Sequence, residues 1–328
     1  MRIHHLNCIA SGASRGRIGA FALHCLLVET HEGLLLIDTG LGLGDVADPQ
    51  QRLSDAFLST LKPGLNPDMT AIRQIERMGF RASDVRDIVL THLDCDQAGG
   101  LDDFPRARVH MLAAERDHAI AQKSWLDRQR YRPQQWSTQN RWMAHEPSFG
   151  AGWMGFECAR DLPCLPPELL LVPLPGHTPG HAGVALRCDG QWLLHAGDAF
   201  FDPRELDAKP QARLALRMYE RLLDTDHATR LATQQRLRDL HRTHPQIEIF
   251  CTHDIEAFER LSGRRADEQV PAAHEAWRDK IVRRPVVEAP ISAPHGVPGL
   301  EVADFTGDAD TPPPRVPAFG DRDARTRR

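Results

Sequence analysis

Residues 91–97, T-H-L-D-C-D-Q, form a dense run of side chains that can bind a metal ion. They follow the apolar run 88–90, which predicts a short buried strand. The candidate donors in this run are His92, Asp94, Cys95, Asp96 and Gln97. A strand end that opens into a loop can direct such side chains at one centre. Their crowding indicates a metal ion, because histidine nitrogens and carboxylate oxygens are common ligands of divalent metals.

Three later motifs place further candidates after predicted strands. His177 lies in P-G-H-T-P-G-H, Asp198 ends H-A-G-D, and His253 lies in C-T-H-D. A single histidine is more often a core or surface residue, but candidates that recur at successive strand ends predict a common site. The sequence therefore predicts a site for divalent metal with six main candidate ligands: His92, Asp94, Asp96, His177, Asp198 and His253.

In their order and spacing, these motifs resemble those of the metallo-β-lactamase fold hydrolases. The first motif is Asp38 in L-I-D-T-G, and the second, normally H-x-H-x-D-H, is the run at 91–97 followed by A-G-G. His177, Asp198 and His253 correspond to the third, fourth and fifth motifs. The resemblance covers about residues 20–255 and implies an αββα sandwich, in which two mixed β-sheets are flanked by helices. It says much less about the substrate, since one fold hosts many reactions.

The resemblance also implies a role for each position of two adjacent metal sites. The first metal would be bound by His92, Asp94 and His177, and the second by Asp96, Gln97 and His253. Asp198 would bridge both. Asp38 and His181 would support these ligands by hydrogen bonds rather than bind metal. The implied catalytic groups are Asp96 and Asp198 with a metal-bound hydroxide that attacks a carbonyl or phosphoryl group.

Two positions of the second motif depart from the family pattern. Asp94 replaces a histidine, which favours Mn or Fe relative to Zn because a carboxylate is a harder ligand than imidazole. Gln97 also replaces a histidine and offers only a weak neutral oxygen. Two divalent ions, three aspartates and a hydroxide would make a neutral cluster, whereas the histidine-rich version keeps one net positive charge. A working two-metal site, a weakened or single-metal site and a loss of catalysis all remain open.

Composition narrows the class of protein. The chain has 328 residues with a formal net charge of −5 and no basic stripe with interleaved aromatic residues, so we do not expect nucleic acid as a partner. No apolar run is long enough for a membrane span and no signal-peptide core is evident, so we expect a cytoplasmic protein that acts on a small molecule. The seven scattered cysteines do not suggest a disulfide framework. The sequence does not indicate an oligomeric state.

The order of predicted elements agrees with an α/β sandwich in one domain, 1–284, with an insertion at 124–160. We expect a loop-rich segment at 41–69, a partly helical insertion beside the active site, and a poorly ordered Pro- and Gly-rich tail at 285–328. The predicted strands are 1–10, 20–29, 34–37, 88–90, 109–112, 169–172, 183–186, 191–194 and 247–250. The predicted helices are 70–78, 113–122, parts of 211–243, and a segment after 250 that runs to about 284.

These observations favour a metal-dependent hydrolase of an ester-like carbonyl. The P-G-H-T-P-G-H turn and the D-T-G motif are most similar to those of lactonase-type members, so we expect a lactone as substrate. A thioesterase or phosphoester hydrolase of the same fold is an alternative, as is a non-catalytic binding protein with a degenerate metal site. A serine hydrolase is disfavoured because no G-x-S-x-G motif occurs.

Overall fold

In the computed structural model, the described residues are 1–10, 21–137, 139, 141–159, 162–207 and 212–272. The predicted tail at 285–328 and the end of the predicted domain lie outside them. Within these residues the strands are β1 (Arg2–Asn7), β2 (His24–Glu29), β3 (Leu34–Ile37), β4 (Val85–Val89), β5 (Arg108–Leu112), β6 (Trp142–His145), β7 (Ser148–Trp153), β8 (Phe156–Cys158), β9 (Leu169–Pro173), β10 (Ala182–Cys188), β11 (Gln191–His195) and β12 (Glu248–Phe250). The α-helices are α1 (Leu43–Ala47), α2 (Pro49–Arg52), α3 (Asp55–Leu61), α4 (Ala71–Arg77), α5 (Ala113–Ala121), α6 (Trp125–Arg130), α7 (Leu214–Leu223), α8 (His227–Thr243) and α9 (Ile255–Ser262).

The strands form two main sheets in the described part of the chain. One has the order β1-β2-β3-β4-β5-β6 and the other β12-β11-β10-β9, while β7 and β8 form a separate hairpin. Both main sheets are mixed. In the first, β2 pairs antiparallel with both β1 and β3, and the pairs from β3 to β6 are parallel. In the second, β11 and β12 are parallel and the other pairs antiparallel.

The two sheets pack face to face, and helices cover their outer faces. Alternation along each strand explains this arrangement, because successive side chains point to opposite faces of a sheet. In β9, Leu171 joins the core between the sheets, whereas Leu170 and Val172 pack on the outer face with Leu237 of α8. The outer face of the first sheet packs against residues of α3 and α4 in the same way, Ile75 among them. The predicted αββα sandwich is therefore confirmed.

Two predictions about local structure were wrong. The segment 41–69 contains three short helices, α1 to α3, rather than loop alone. The side chains of Asp48 and Ser54 cap two of them, and such capping makes a short helix possible in a segment rich in Gly and Pro. The helix after β12 ends at Ser262 instead of continuing to about 284, because Gly263 adopts a left-handed conformation with φ of 66° that terminates it.

The insertion at 124–160 is less helical than expected. After the short helix α6 it supplies β6, which extends the first sheet by pairing in parallel with β5, and then the β7–β8 hairpin. None of the helices in the described ranges combines the length and the apolar composition that a membrane span requires.

Candidate metal centre

The candidate ligands converge because they follow neighbouring parallel strands. Asp38 follows β3 and the run 91–97 follows its parallel neighbour β4. In the other sheet, Asp198 follows β11 and His253 follows its parallel neighbour β12. Parallel strands end at the same edge of a sheet, and this edge is where functional groups of α/β proteins commonly gather.

Asp38 organises the start of the second motif through hydrogen bonds. The backbone N–H of Thr91 donates to Asp38 Oδ1 at 2.8 Å, and the Thr91 hydroxyl donates to Asp38 Oδ2 at 2.9 Å. Because the hydrogen of that hydroxyl points to the carboxylate, the hydroxyl oxygen accepts a hydrogen bond from Nδ1 of His92, 3.0 Å away. This fixes the tautomer of His92 and leaves its Nε2 to face the other candidates.

His92, Asp94 and His177 form a compact buried group. Asp94 Oδ2 lies 3.5 Å from His92 Nε2 and 3.0 Å from His177 Nε2. One ligand atom from each of the three residues lies within 4.8 Å of the others, a spacing that fits a single metal ion. His92 Nε2 is buried and has no hydrogen-bond partner among the described residues. A buried polar atom without a partner is costly, and a metal ion would supply one.

Asp198 connects this group to a second one. Its Oδ2 lies 3.8 Å from His92 Nε2 and 3.7 Å from His177 Nε2. The same oxygen is 3.0 Å from His253 Nε2, which is in turn 4.0 Å from Asp96 Oδ2. Oδ1 of Asp198 is buried without a hydrogen-bond partner in the described part of the structure. The first group therefore has the spacing of a metal site, and Asp198 lies between it and His253.

Gln97 is fully buried. Its backbone carbonyl accepts two hydrogen bonds from Thr39, through the backbone N–H and the hydroxyl. Both polar atoms of its amide side chain are buried without a hydrogen-bond partner among the residues described. The predicted contribution of Gln97 to a second metal site therefore stays a prediction.

His181 is oriented for hydrogen bonding to the backbone rather than for metal. Its Nδ1 donates to the carbonyl of Leu174 at 2.9 Å, and its Nε2 accepts from the backbone N–H of Asp198 at 2.8 Å. Both ring nitrogens are thus occupied, and the second bond holds the chain at Asp198 in place. This geometry is that of a supporting residue, the role expected from the sequence.

Two histidines of the centre carry raised pKa values. Burial disfavours the charged imidazolium of His92, but Asp94 and Asp198 outweigh burial and raise its pKa to about 10. His253 behaves similarly, since burial is outweighed by Asp198 and Asp96 and its pKa rises to about 9. In the metal-free protein these two histidines therefore supply the positive charge that the carboxylates need.

Asp198 and His177, in contrast, have lowered pKa values. Burial alone would raise the pKa of Asp198, but His253, His92 and His177 hold it well below its usual range. Burial, together with the positive charge of Arg130, lowers the pKa of His177 to about 4. His177 is therefore neutral near pH 7, which is the form that binds metal.

Sequence analysis missed Arg130, which lies at the end of α6 in the insertion. Its Nε forms an ion pair with Asp94 Oδ1 at 3.2 Å, and its Nη1 donates to the backbone carbonyl of His177 at 2.9 Å. Burial would raise the pKa of Asp94, but Arg130 and the two neighbouring histidines hold it well below its usual range. Arg130 therefore places beside Asp94 a positive charge that the count of ligand charges did not include. No sequence motif marks this arginine.

Glu115 is a second residue that the sequence gave no reason to select. It is fully buried near the start of α5 and accepts from the backbone N–H of Leu93 at 2.9 Å and from the Thr178 hydroxyl at 2.5 Å. The hydroxyl of Tyr131 donates to it at 3.3 Å. Glu115 thereby ties the loop after β4 to the loop that carries His177.

A cavity of about 680 Å³ opens over the centre. Asp94, Asp96, Asp198 and His253 line one side of it. Most of the remaining wall is apolar, and it comes from the segment 41–69, the insertion and α7: Phe57, Leu61, Trp125, Leu126, Leu216, Tyr219, Leu222 and Leu223. The segment 41–69 and the insertion thus both line the cavity.

The hydrogen bonds of Asp38 lead to the first testable prediction. In Asp38→Asn, one carboxylate oxygen becomes an NH2 group that faces a Thr91 donor, so a buried donor loses its acceptor. We expect the free energy of unfolding to fall by about 1–3 kcal/mol, measured by urea denaturation. The matched control is Asp239→Asn on the exposed side of α8, which should change stability little. Equal stability of the two variants would contradict the assigned role.

Comparison with known proteins agrees with this geometry. The family model of the metallo-beta-lactamase superfamily matches residues 18–274. A probable metallo-hydrolase of Mycobacterium tuberculosis is 41% identical over 264 residues, which cover 79% of this chain and 82% of the relative. An N-acyl homoserine lactonase of Bacillus thuringiensis is 22% identical over 250 residues, which cover 76% of this chain and 87% of the relative.

Solved structures show the same fold at lower identity. An N-acyl homoserine lactone hydrolase, with the product N-hexanoyl-L-homoserine bound at its catalytic metal centre, matches with a TM-score of 0.59 and 21% identity. The match covers 82% of this chain and 98% of that structure. Since the family model spans most of the chain and the mycobacterial relative exceeds two fifths identity, the chain belongs to the metallo-beta-lactamase superfamily.

Proposed function

We propose that this chain is a metal-dependent hydrolase of ester-like carbonyl compounds, with a lactone as the favoured substrate. The observation that carries this proposal is the position of two donor groups, linked by Asp198, at the side of a largely apolar cavity. Polar reactive groups beside an apolar wall suit a substrate that has one reactive carbonyl and one apolar part.

One divalent ion would be bound by His92, Asp94 and His177, and a second by Asp96 and His253 with Gln97 as a weak ligand. Asp198 would be shared. Zinc, manganese or iron suits this mixture of imidazole and carboxylate donors. When bound, the metal supplies an activated water nucleophile and a Lewis acid that polarises the carbonyl oxygen.

The chain itself supplies proton transfer and a hydrogen-bond donor. Asp96 lines the cavity beside Asp198 and His253, where its carboxylate can take a proton from the attacking water and return it to the leaving alkoxide. Tyr219 lines the cavity, and burial together with Asp96 raises the pKa of its hydroxyl. The hydroxyl therefore keeps its proton and can donate to the substrate carbonyl.

Two observations support a lactone over other carbonyl substrates. The lactonases that this chain resembles cover most of its length, and solved members of that group bind homoserine products with hexanoyl and decanoyl chains. The apolar wall contributed by α3, α6 and α7 would accommodate such an acyl chain, because burial of its methylene groups is favourable.

The central test measures both the metal content of the protein and its hydrolysis of a lactone. Protein purified without added metal should contain one or two divalent ions per chain and should hydrolyse N-acyl homoserine lactones. Asp198→Ala should lose most of the metal and reduce kcat/KM by at least about a hundredfold, since it removes the shared ligand. Metal is measured by mass spectrometry, and Asp239→Ala is the matched control on the exposed side of α8.

The outcomes separate the candidate functions. Bound metal and ring opening of the lactone support the proposal. If the protein binds metal but hydrolyses only a thioester or a phosphoester, it is a metal-dependent hydrolase of a different substrate class. Absence of metal and of any hydrolysis, even with Mn, Fe or Zn supplied, would favour a non-catalytic binding protein, for which Gln97 is the supporting feature.

Gln97→His tests whether the second site is weakened. An imidazole binds divalent metal far better than an amide oxygen, so occupancy of the second site should rise. The measurement is the number of metal ions per chain and the affinity of the weaker ion, obtained by competition with a chromophoric chelator. Unchanged stoichiometry and affinity would mean that the site is already complete without residue 97.

The raised pKa values of His92 and His253 predict proton release. Both are protonated in the metal-free protein at pH 7.5 and must be neutral to bind metal, so loading of both sites should release at least about two protons per chain. Affinity should accordingly weaken as the pH falls. Calorimetry in two buffers of different ionisation enthalpy measures the proton count. Replacing exposed His241 with Ala should leave the count unchanged, and heats that are the same in both buffers would contradict the prediction.

A further inference from the structure

The two oxygens of Asp94 face different partners. Oδ2 lies 3.0 Å from His177 Nε2 and 3.5 Å from His92 Nε2, on the side of the candidate metal centre. Oδ1 points the other way and forms the ion pair with Arg130 Nε at 3.2 Å. One oxygen is thus directed at the metal ligands while the other is held by a cation.

Arg130 is itself held in place by the backbone. It is only 5% exposed, although arginine is rarely buried without partners. Its Nη1 donates to the carbonyl of His177 at 2.9 Å, and its Nη2 donates to the carbonyl of Leu223 at 2.8 Å. Nη1 also lies within 3.3 Å of the Thr225 hydroxyl. The guanidinium is therefore rigidly positioned between α6, the loop of His177 and the end of α7.

Such an ion pair changes what Asp94 offers to a metal. A buried carboxylate and a buried guanidinium next to each other carry no net charge together, because the charge of each offsets that of the other. The pair presents one oxygen lone pair to the centre with no net charge, as a neutral imidazole presents one nitrogen lone pair. The family pattern that this chain resembles has a histidine at this position.

We propose that Asp94 and Arg130 form a single functional unit that replaces this histidine, with Arg130 as the positioning residue. Arg130 orients Asp94 so that Oδ2 faces His92 and His177, and it offsets the extra negative charge that the aspartate brings. The cluster with two metals then keeps a net positive charge, which favours deprotonation of bound water.

A cycle of Asp94→His and Arg130→Met tests this unit. In the metal-free state each single variant should be less stable than wild type, because one buried charge loses its partner. The double variant should recover most of that stability, since a neutral imidazole beside a methionine leaves no unpaired charge. Chemical denaturation measures this coupling.

Zinc affinity provides a second comparison within the cycle. Asp94→His alone places the new imidazole beside an unpaired guanidinium, which repels the metal. The double variant lacks that charge and should bind Zn²⁺ at least about tenfold more tightly than Asp94→His alone. Competition with a chromophoric chelator measures both affinities.

A spectroscopic measurement distinguishes a role of Arg130 in positioning Asp94 from a role in packing alone. With Co²⁺ in place of the native metal, Arg130→Met should alter the visible absorption spectrum, because Asp94 is free to rotate. Arg130→Lys, which keeps the positive charge, should restore stability and part of the spectrum. The matched control is Arg128→Met on the same helix, where the arginine is exposed and its guanidinium donates to the carbonyl of Gln122. This variant should leave the spectrum unchanged.

The inference rests on the proposed metal centre, and its failure can be told apart from failure of that proposal. If the wild-type protein takes up neither Zn²⁺ nor Co²⁺, the metal centre itself is wrong, and this inference falls with it. If the wild type binds metal but the two substitutions have additive effects on stability and the double variant binds Zn²⁺ no better than Asp94→His, only the Asp94–Arg130 unit is overturned.

Discussion

Concentrated negative charge beneath one cavity is the constraint on which the rest of this site depends. Four carboxylates at the ends of neighbouring strands are almost fully buried: Asp38, Asp94, Asp96 and Asp198. Buried carboxylates persist only where cations or hydrogen-bond donors compensate them. Donors from Thr91, the guanidinium of Arg130 and the imidazole of His253 supply part of that compensation, and divalent metal is the group that the remaining unpartnered atoms fit.

The fold meets this constraint with short connections after parallel strands. Because β3 with β4 and β11 with β12 end at one edge of each sheet, side chains from distant parts of the chain meet there without long loops. Buried polar links then fix the loops relative to one another. Glu115 holds the second motif against the loop of His177, and His181 holds the backbone at Asp198. Precision of this kind is what a catalytic metal site requires.

Charge balance also changes how the unusual second motif should be understood. From the ligands alone, Asp94 makes the cluster neutral and suggests a weak activator of water. In the proposed Asp94–Arg130 unit, Arg130 restores the positive charge, so an aspartate at position 94 is compatible with hydrolysis. Gln97 differs, since its buried amide lacks any such compensating partner among the described residues. The two departures from the family pattern therefore have unequal consequences.

The sequence by itself determined the fold family and the main candidate ligands, because both depend on local patterns: apolar strands of period two, and donor residues directly after them. The predicted strand at 34–37 and the predicted helix at 70–78 followed from such patterns, and the structure contains them as β3 and α4. The helices in 41–69 and the end of the helix after β12 were not predicted. The former depend on side-chain caps, and the latter is set by a single left-handed glycine. Arg130 and Glu115 could not be selected from the sequence for a different reason. Nothing in an isolated stretch of sequence distinguishes a surface arginine from one buried against a candidate ligand. Only the packing of the insertion on the loop of His177 buries Arg130 there.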